Sequence, residues 1–220
     1  MKKLRNISEI RRYFHRNETP IYFVSATNFN LLGISEWVRN FRYINYIDCF
    51  DGRHPSVFIP SEAPHREFES IEDIVNYLLE HKETIDFVKA RGDDPKAVFL
   101  MFDEKTEALC EEIGLDVWFP PAELRSRVDN KIETVRIGNR AGVPSVPNVL
   151  ARIDSYATLQ EVAGEAGLGD DLVLQSAFGD SGNTTWFIAS ENDYRKYADK
   201  IEDEPEIKVM KRVNVRGSAI

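Results

Sequence analysis

The chain has 220 residues, 42% of them hydrophobic and 30% charged, which is enough apolar content to bury one large core or two small ones. Its net charge of -9 excludes a nucleic-acid surface, because neutralising phosphates takes clustered Lys and Arg with little acidic competition. No apolar run has the length to cross a bilayer, and the basic start is not followed by the hydrophobic stretch of a signal peptide; a membrane partner is excluded and a cytoplasmic location is expected.

The first cations, Lys2, Lys3, Arg5, Arg11, Arg12 and Arg16, are spread at helical spacing around Leu4, Ile7, Ile10 and Phe14, which predicts an amphipathic helix packed on the body. Residues 20–25 form an apolar run that reads as a buried strand, with a loop over 26–30 at its C-terminal end. Helical periodicity covers 31–41, strand character returns over 43–48, and Asp51-Gly52 ends it. After a loop at 60–64, apolar residues at Ile71, Ile74, Val75, Leu78, Leu79, Ile85 and Val88 predict one long helix over 71–89, closed by Gly92-Asp93-Asp94-Pro95. Residues 97–102 read as a strand, Asp103 as the cap of a helix over 104–113, and 115–119 as a strand halted by Pro120-Pro121. Strands alternating with helices predict a parallel sheet covered on both faces.

Beyond this point the pattern changes. Helices are predicted over 124–128 and 132–141, strands at 148–152 and 171–176 around a helix over 156–166, then a strand over 185–188, a helix over 193–201 and a strand over 207–213. A boundary between Pro120 and Arg127 gives domains of 1–122 and 123–220. Cys49 and Cys110 read as buried thiols. His15 and His81 fall in predicted helices without an acid beside them; His54 and His65, close to Asp48 and Asp51, read as polar loop residues rather than metal ligands. Asn28 and Asn30 follow the first strand, where open α/β sheets tend to bind ligands.

The chemistry concentrates late in the chain. Two β-prone runs within 172–188 are joined by a polar loop with Gly179 and Gly182 for close backbone approach and hydroxyls on Ser181, Thr184 and Thr185. Such a loop suits an anion, although for a lone G-x-x-G between two strands a plain hairpin is the favoured reading. Lys131 follows Asp129, a candidate N-cap, and so sits in the first turn of a helix, where a cation gains nothing from the helix dipole. Surface exposure is the ordinary explanation for such a lysine. Gly142-Val143-Pro144 is an ordinary helix stop.

In this order, the lysine, the Gly-Val-Pro exit and the glycine hairpin resemble the ATP-grasp superfamily, which includes biotin carboxylase and the carboxylate-amine ligases. The resemblance implies an α/β fold: a Rossmann-like pre-ATP-grasp domain followed by the first part of an ATP-grasp domain. It implies that Lys131 reaches the nucleotide phosphates and that Gly179, Asp180, Ser181, Gly182, Asn183 and Thr184 cover the β- and γ-phosphates. The backbone of residues 209–213, with Lys211, Arg212 and Val213, would read the adenine edge. Gln175 stands where the family usually has a second lysine; a neutral amide hydrogen-bonds a phosphate oxygen without neutralising it. The family's magnesium ligands come after this last strand, so they are expected beyond Ile220, no metal site is assigned here, and Glu202, Asp203, Glu204 and Glu206 read as a solvated turn. The chain is accordingly expected to be the N-terminal part of a longer enzyme and not competent alone.

The implied activity is that of an ATP-dependent ligase activating a small carboxylate as an acyl phosphate for attack by an amine, with ATP and Mg2+ as cofactors and a homodimer left open. Biotin carboxylase chemistry ranks below amide formation, because the loop has two glycines where carboxylases carry a longer run. A nucleotide-binding pseudoenzyme, favoured by Gln175, and a non-catalytic α/β interaction domain are the alternatives. No residue is assigned a catalytic role.

Overall fold

Ile21 and Phe23 face one side of the first strand, Tyr22 and Val24 the other, and all four are buried, as a central strand covered on both faces requires. The computed structural model describes residues 3–29, 31–47, 54–61, 67–143, 145–179 and 182–213. The chain divides into two compact units, Met1–Leu124 and Arg125–Ile220.

In the first unit, α1 (Ile7–Phe14), β1 (Ile21–Ser25), α2 (Ile34–Trp37), β2 (Phe41–Asn45), β3 (Val57–Phe58), α3 (Ile71–Glu80), α4 (Lys82–Lys89), β4 (Lys96–Phe99), α5 (Glu104–Ile113) and β5 (Asp116–Val117) follow one another. The sheet order is β3-β2-β1-β4-β5 and every pairing is parallel, as the alternating pattern predicts. Tyr22, Val24, Ile44 and Phe99 pack with Leu78, Leu79 and Cys110 of α3 and α5 on one face. Ile21, Phe23, Phe41 and Tyr43 pack with Leu31, Leu32, Ile34 and Val38 on the other.

Several expectations need correction. The helix predicted over 71–89 is two helices, because His81 turns to extended backbone (φ -73°, ψ 127°) and its Nδ1 accepts the Glu83 N–H at 3.2 Å, capping α4. The helix predicted over 31–41 shrinks to the four residues of α2, which allows β2 to start at Phe41 instead of Tyr43. β3 has only two residues, too few to carry a period-2 signal. The α1 helix forms, with Asn6 accepting the Glu9 N–H at 3.0 Å, but none of its residues is buried and Ile7 is 67% exposed. It meets the unit mainly through the Arg11 guanidinium, 4.2 Å above the Trp37 ring, and the Phe14 carbonyl, which accepts the Arg39 N–H at 3.1 Å.

The division between units falls inside α6 (Ala122–Asp129). The second unit continues with α7 (Lys131–Arg140), β6 (Asn148–Ala151), α8 (Tyr156–Glu165), β7 (Leu172–Gln175), β8 (Thr185–Ile188), α9 (Glu191–Arg195), α10 (Ala198–Glu202) and β9 (Ile207–Lys211). Its sheet is antiparallel in the order β6-β9-β7-β8. Leu172, Leu174, Trp186, Ile188, Ile207 and Val209 point into a core with Leu159, Ala163 and Ile201. The opposite parity, Val173, Gln175, Thr185, Phe187, Lys208 and Met210, is less buried and forms the open face. Along that face the register aligns Leu150, Lys208, Gln175 and Thr185 in one row across all four strands. The helix predicted over 193–201 is two short helices, and the last strand ends at Lys211 instead of Val213.

Candidate functional site

The start of α7 organises the site. Its N-cap is Asn130, not Asp129: the Asn130 side-chain oxygen accepts the Ile132 and Glu133 N–H groups, both at 3.0 Å. The Lys131 N–H donates instead to the Ala177 carbonyl at 2.8 Å, and the Lys131 Nζ donates to the Gly179 carbonyl at 2.6 Å. The first residue of α7 is thereby bonded twice to the segment that follows β7. Further along, Arg136 bonds both Glu133 (2.6 Å) and Glu206 (2.6 Å), holding α7 to the residue before β9. The exit of α7 is the helix stop read from the sequence: Gly142 has a φ of +70°, and the Val143 N–H donates to the Gly138 carbonyl at 3.0 Å.

Gly179 has a φ of +136°, and a Cβ there would lie 2.1 Å from the Thr184 Oγ1, so glycine is required on two counts. The Thr184 hydroxyl donates to the Phe178 carbonyl at 2.8 Å, and the Ser176 hydroxyl donates to the same oxygen at 2.6 Å. Gly182, with a φ of +80°, accepts the Thr185 N–H at 3.0 Å. The Gln175 Nε2 donates to the Thr185 Oγ1 at 3.2 Å.

Between α7 and the open face of the sheet lies a cleft of about 760 Å³. Its walls include Lys131, Thr134, Val135 and Gly138 of α7, the strand residues Gln175, Thr185 and Lys208, and the glycines 179 and 182. Asp129 is the one carboxylate among its described lining residues. Burial holds the Lys208 ammonium below the ordinary lysine pKa.

Of the residues singled out from the sequence, Lys131, Gln175, Gly179 and Gly182 come together in this cleft. Asn183 and Thr184 belong to the same hairpin without lining it, while Asp180 and Ser181 lie outside the described residues. Lys211, Arg212 and Val213 stand apart from the cleft lining. The Lys211 N–H bonds the Pro147 carbonyl (3.2 Å), the Arg212 N–H bonds the Asp171 carbonyl (2.9 Å), and the Arg212 guanidinium sits 5.1 Å from the Phe187 ring centre. Lys208 escaped the sequence reading. Its alternation with the buried Ile207 and Val209 marks its parity, but only the register to Gln175 brings it to the cleft.

Elsewhere, Cys110 is buried and its thiol is pushed up to about 12 by that burial, so it is inert; Cys49 lies outside the described residues. The His54 Nδ1 accepts the Ser56 N–H at 3.2 Å, a loop role, while His65, Asp48, Asp51 and Asn30 lie outside the described residues. Among the described residues, no helix is long and apolar enough to cross a membrane.

No family model matches the sequence, and no curated protein matches it. Solved structures do. N5-carboxyaminoimidazole ribonucleotide synthetase, solved with ADP, matches at a TM-score of 0.55 and 15% identity over 90% of this chain and 48% of its own. The Staphylococcus aureus enzyme, also with ADP, matches at 0.53 and 13% over 90% and 48%. The biotin carboxylase domain of Hydrogenobacter thermophilus 2-oxoglutarate carboxylase, solved with MgADP and bicarbonate, matches at 0.55 and 14% over 88% and 44%. The chain spans about half the length of these structures. Its two sheets, one parallel and one antiparallel, share their fold with about half of each of these structures.

Proposed function

We propose that the cleft of the second unit holds the phosphates of ATP, and that the chain is the nucleotide-binding part of an ATP-dependent ligase. The supporting observation is the Lys131 Nζ on the Gly179 carbonyl at 2.6 Å, which places a cation and a positive-φ glycine turn at the rim of one cleft. An ammonium bonded to a neutral carbonyl keeps its charge for an anion. In the reaction, a carboxylate oxygen attacks the γ-phosphorus of ATP and ADP leaves. An amine then displaces phosphate from the acyl phosphate, losing a proton as the amide forms. Positioning and charge stabilisation dominate such chemistry, which is what this cleft offers.

Magnesium would supply further positive charge to the phosphates in such chemistry, and the described residues do not offer it a ligand set. Among the described residues, Asp129 is the one carboxylate lining the cleft, and no group of three His, Cys, Asp or Glu side chains gathers. Among the described residues, the cations lining this cleft are Lys131 and Lys208. A second reading, a module that binds nucleotide without turnover, draws on the neutral Gln175 in the middle of the cleft wall.

The test is calorimetric titration of the full-length protein with ATP. The double variant Gly179→Val with Gly182→Val forces a side chain against Thr184 and strains a second positive φ, so ATP binding should fall at least about tenfold. If the variant retains its melting temperature and binds ATP like wild type, the loop is only a hairpin. Phosphate release with a panel of carboxylates and amines then separates a ligase from a binding module.

A further inference from the structure

Lys208 occupies a position that its surroundings do not explain. Its neighbours Ile207 and Val209 are fully buried on the core side of the sheet, so its own side chain belongs to the open face, where it is half-buried and lines the cleft. In the cross-strand register it stands directly opposite Gln175, with Thr185 on the far side of Gln175 and Leu150 on the other flank of Lys208. Among the described residues its side chain makes no hydrogen bond and no ion pair, and its ammonium is held below the ordinary lysine range by burial alone. Partly burying a cation without an anion costs free energy. Among the described residues, the other ionisable groups lining the same cleft are Lys131 on α7, already bonded to the Gly179 carbonyl, and Asp129 at the end of α6, whose carboxylate lies 3.7 Å from the Arg125 guanidinium. Among the described lining residues two lysines face one carboxylate that Arg125 shares, and the strand position beside the glycine hairpin carries the neutral Gln175.

Resting on the reading of the cleft as a polyphosphate site, we propose that Lys208 supplies from the neighbouring strand the phosphate-neutralising charge that Gln175 lacks. The two residues are cross-strand partners in one row of the sheet. Register makes the two positions interchangeable: cross-strand partners have Cβ atoms about 4.5–5.5 Å apart, within the reach of one lysine stem. The ligand chemistry is a terminal di- or triphosphate, and adenosine alone should not sense the exchange.

The experiment measures binding of ATP, adenosine and inorganic tripolyphosphate to the full-length protein and to three variants: Lys208→Gln, Gln175→Lys, and Gln175→Lys combined with Lys208→Gln. Lys208→Gln should weaken ATP and tripolyphosphate about tenfold, the worth of one charge-assisted hydrogen bond, and leave adenosine unchanged. The double variant should restore ATP binding to within about threefold of wild type, an outcome that a purely structural role for Lys208 does not produce. If wild type binds ATP and Lys208→Gln binds it equally well, the inference is overturned while the nucleotide reading stands, and the lysine is only snorkelling along the sheet. Equal losses for adenosine and ATP would also overturn it. If wild type binds neither ATP nor tripolyphosphate, both readings fall together.

Discussion

Lys131 is a residue whose sequence context is commonplace and whose surroundings are not. A lysine in the first turn of a helix gains nothing from the helix dipole, yet this one has both its backbone N–H and its Nζ committed to carbonyls after β7. An ammonium so held is pre-oriented, and little side-chain entropy remains to be lost when an anion arrives. Lys131→Ala should therefore weaken ATP by about 1.5–3 kcal/mol, the range for a hydrogen bond to a charged group, and adenosine far less. Parallel calorimetric titrations of the two ligands check this, and equal losses would remove Lys131 from the site. The residue types of this site were legible in the sequence: the lysine, the two glycines and the anomalous Gln175 all line one cleft. The place of Lys208 on the cleft was not, because it depends on which residue of β7 it pairs with, and register is set by packing and turn geometry rather than by the strand's own composition.

At the scale of elements, the clearest device is the cap of α5. Asp103 Oδ1 accepts the Thr106 N–H at 2.8 Å, the Thr106 Oγ1 accepts the Asp103 N–H at 3.2 Å, and the Thr106 hydroxyl donates to the buried Asn76 Oδ1 of α3 at 2.7 Å. Asn76 in turn donates to both Asp103 oxygens at 3.2 Å. Burial raises the Asp103 pKa, but the hydrogen bonds from Thr106 and Asn76 outweigh it and hold the carboxyl below its ordinary value. The contribution is present above the pKa of an unfolded aspartate and is lost as pH falls through the depressed folded value. Asp103→Ala should cost about 1–2 kcal/mol at neutral pH, and Asp103→Asn less, because the amide oxygen can still accept. Urea titration at neutral pH and again near pH 3 checks it: the difference between wild type and Asp103→Ala should shrink in acid. A difference unchanged with pH would mean that the charge contributes nothing. Asp103 was readable as a cap from sequence alone because its partner is local. The break at His81 was not, since apolar residues run on through α3 and α4 at helical spacing and only the imidazole cap interrupts them.

Across the whole molecule, the parallel class of the first sheet was legible because strand-helix repeats alternate two periods, although the two-residue β3 and the break at His81 left no change of period. The antiparallel sheet of the second unit assembles strands far apart in sequence, with β9 inserted between β6 and β7, an order that no local pattern encodes. That order has a consequence for the time course of folding. Lys131 and Gly179 meet across 48 positions, and the Lys131 contact needs the β7–β8 hairpin in place before it can form. Closing so long a loop is entropically unfavourable until other contacts have shortened it, so the cleft should assemble after the transition state, when the sheet beneath it already exists. Gly179→Ala, which presses a methyl group against Thr184, should then accelerate unfolding and leave refolding close to wild type in stopped-flow denaturant jumps. Slowed refolding with unchanged unfolding would instead put the hairpin in the folding nucleus. A cleft completed last is also the first to come apart, so its lifetime can be far shorter than that of the fold carrying it.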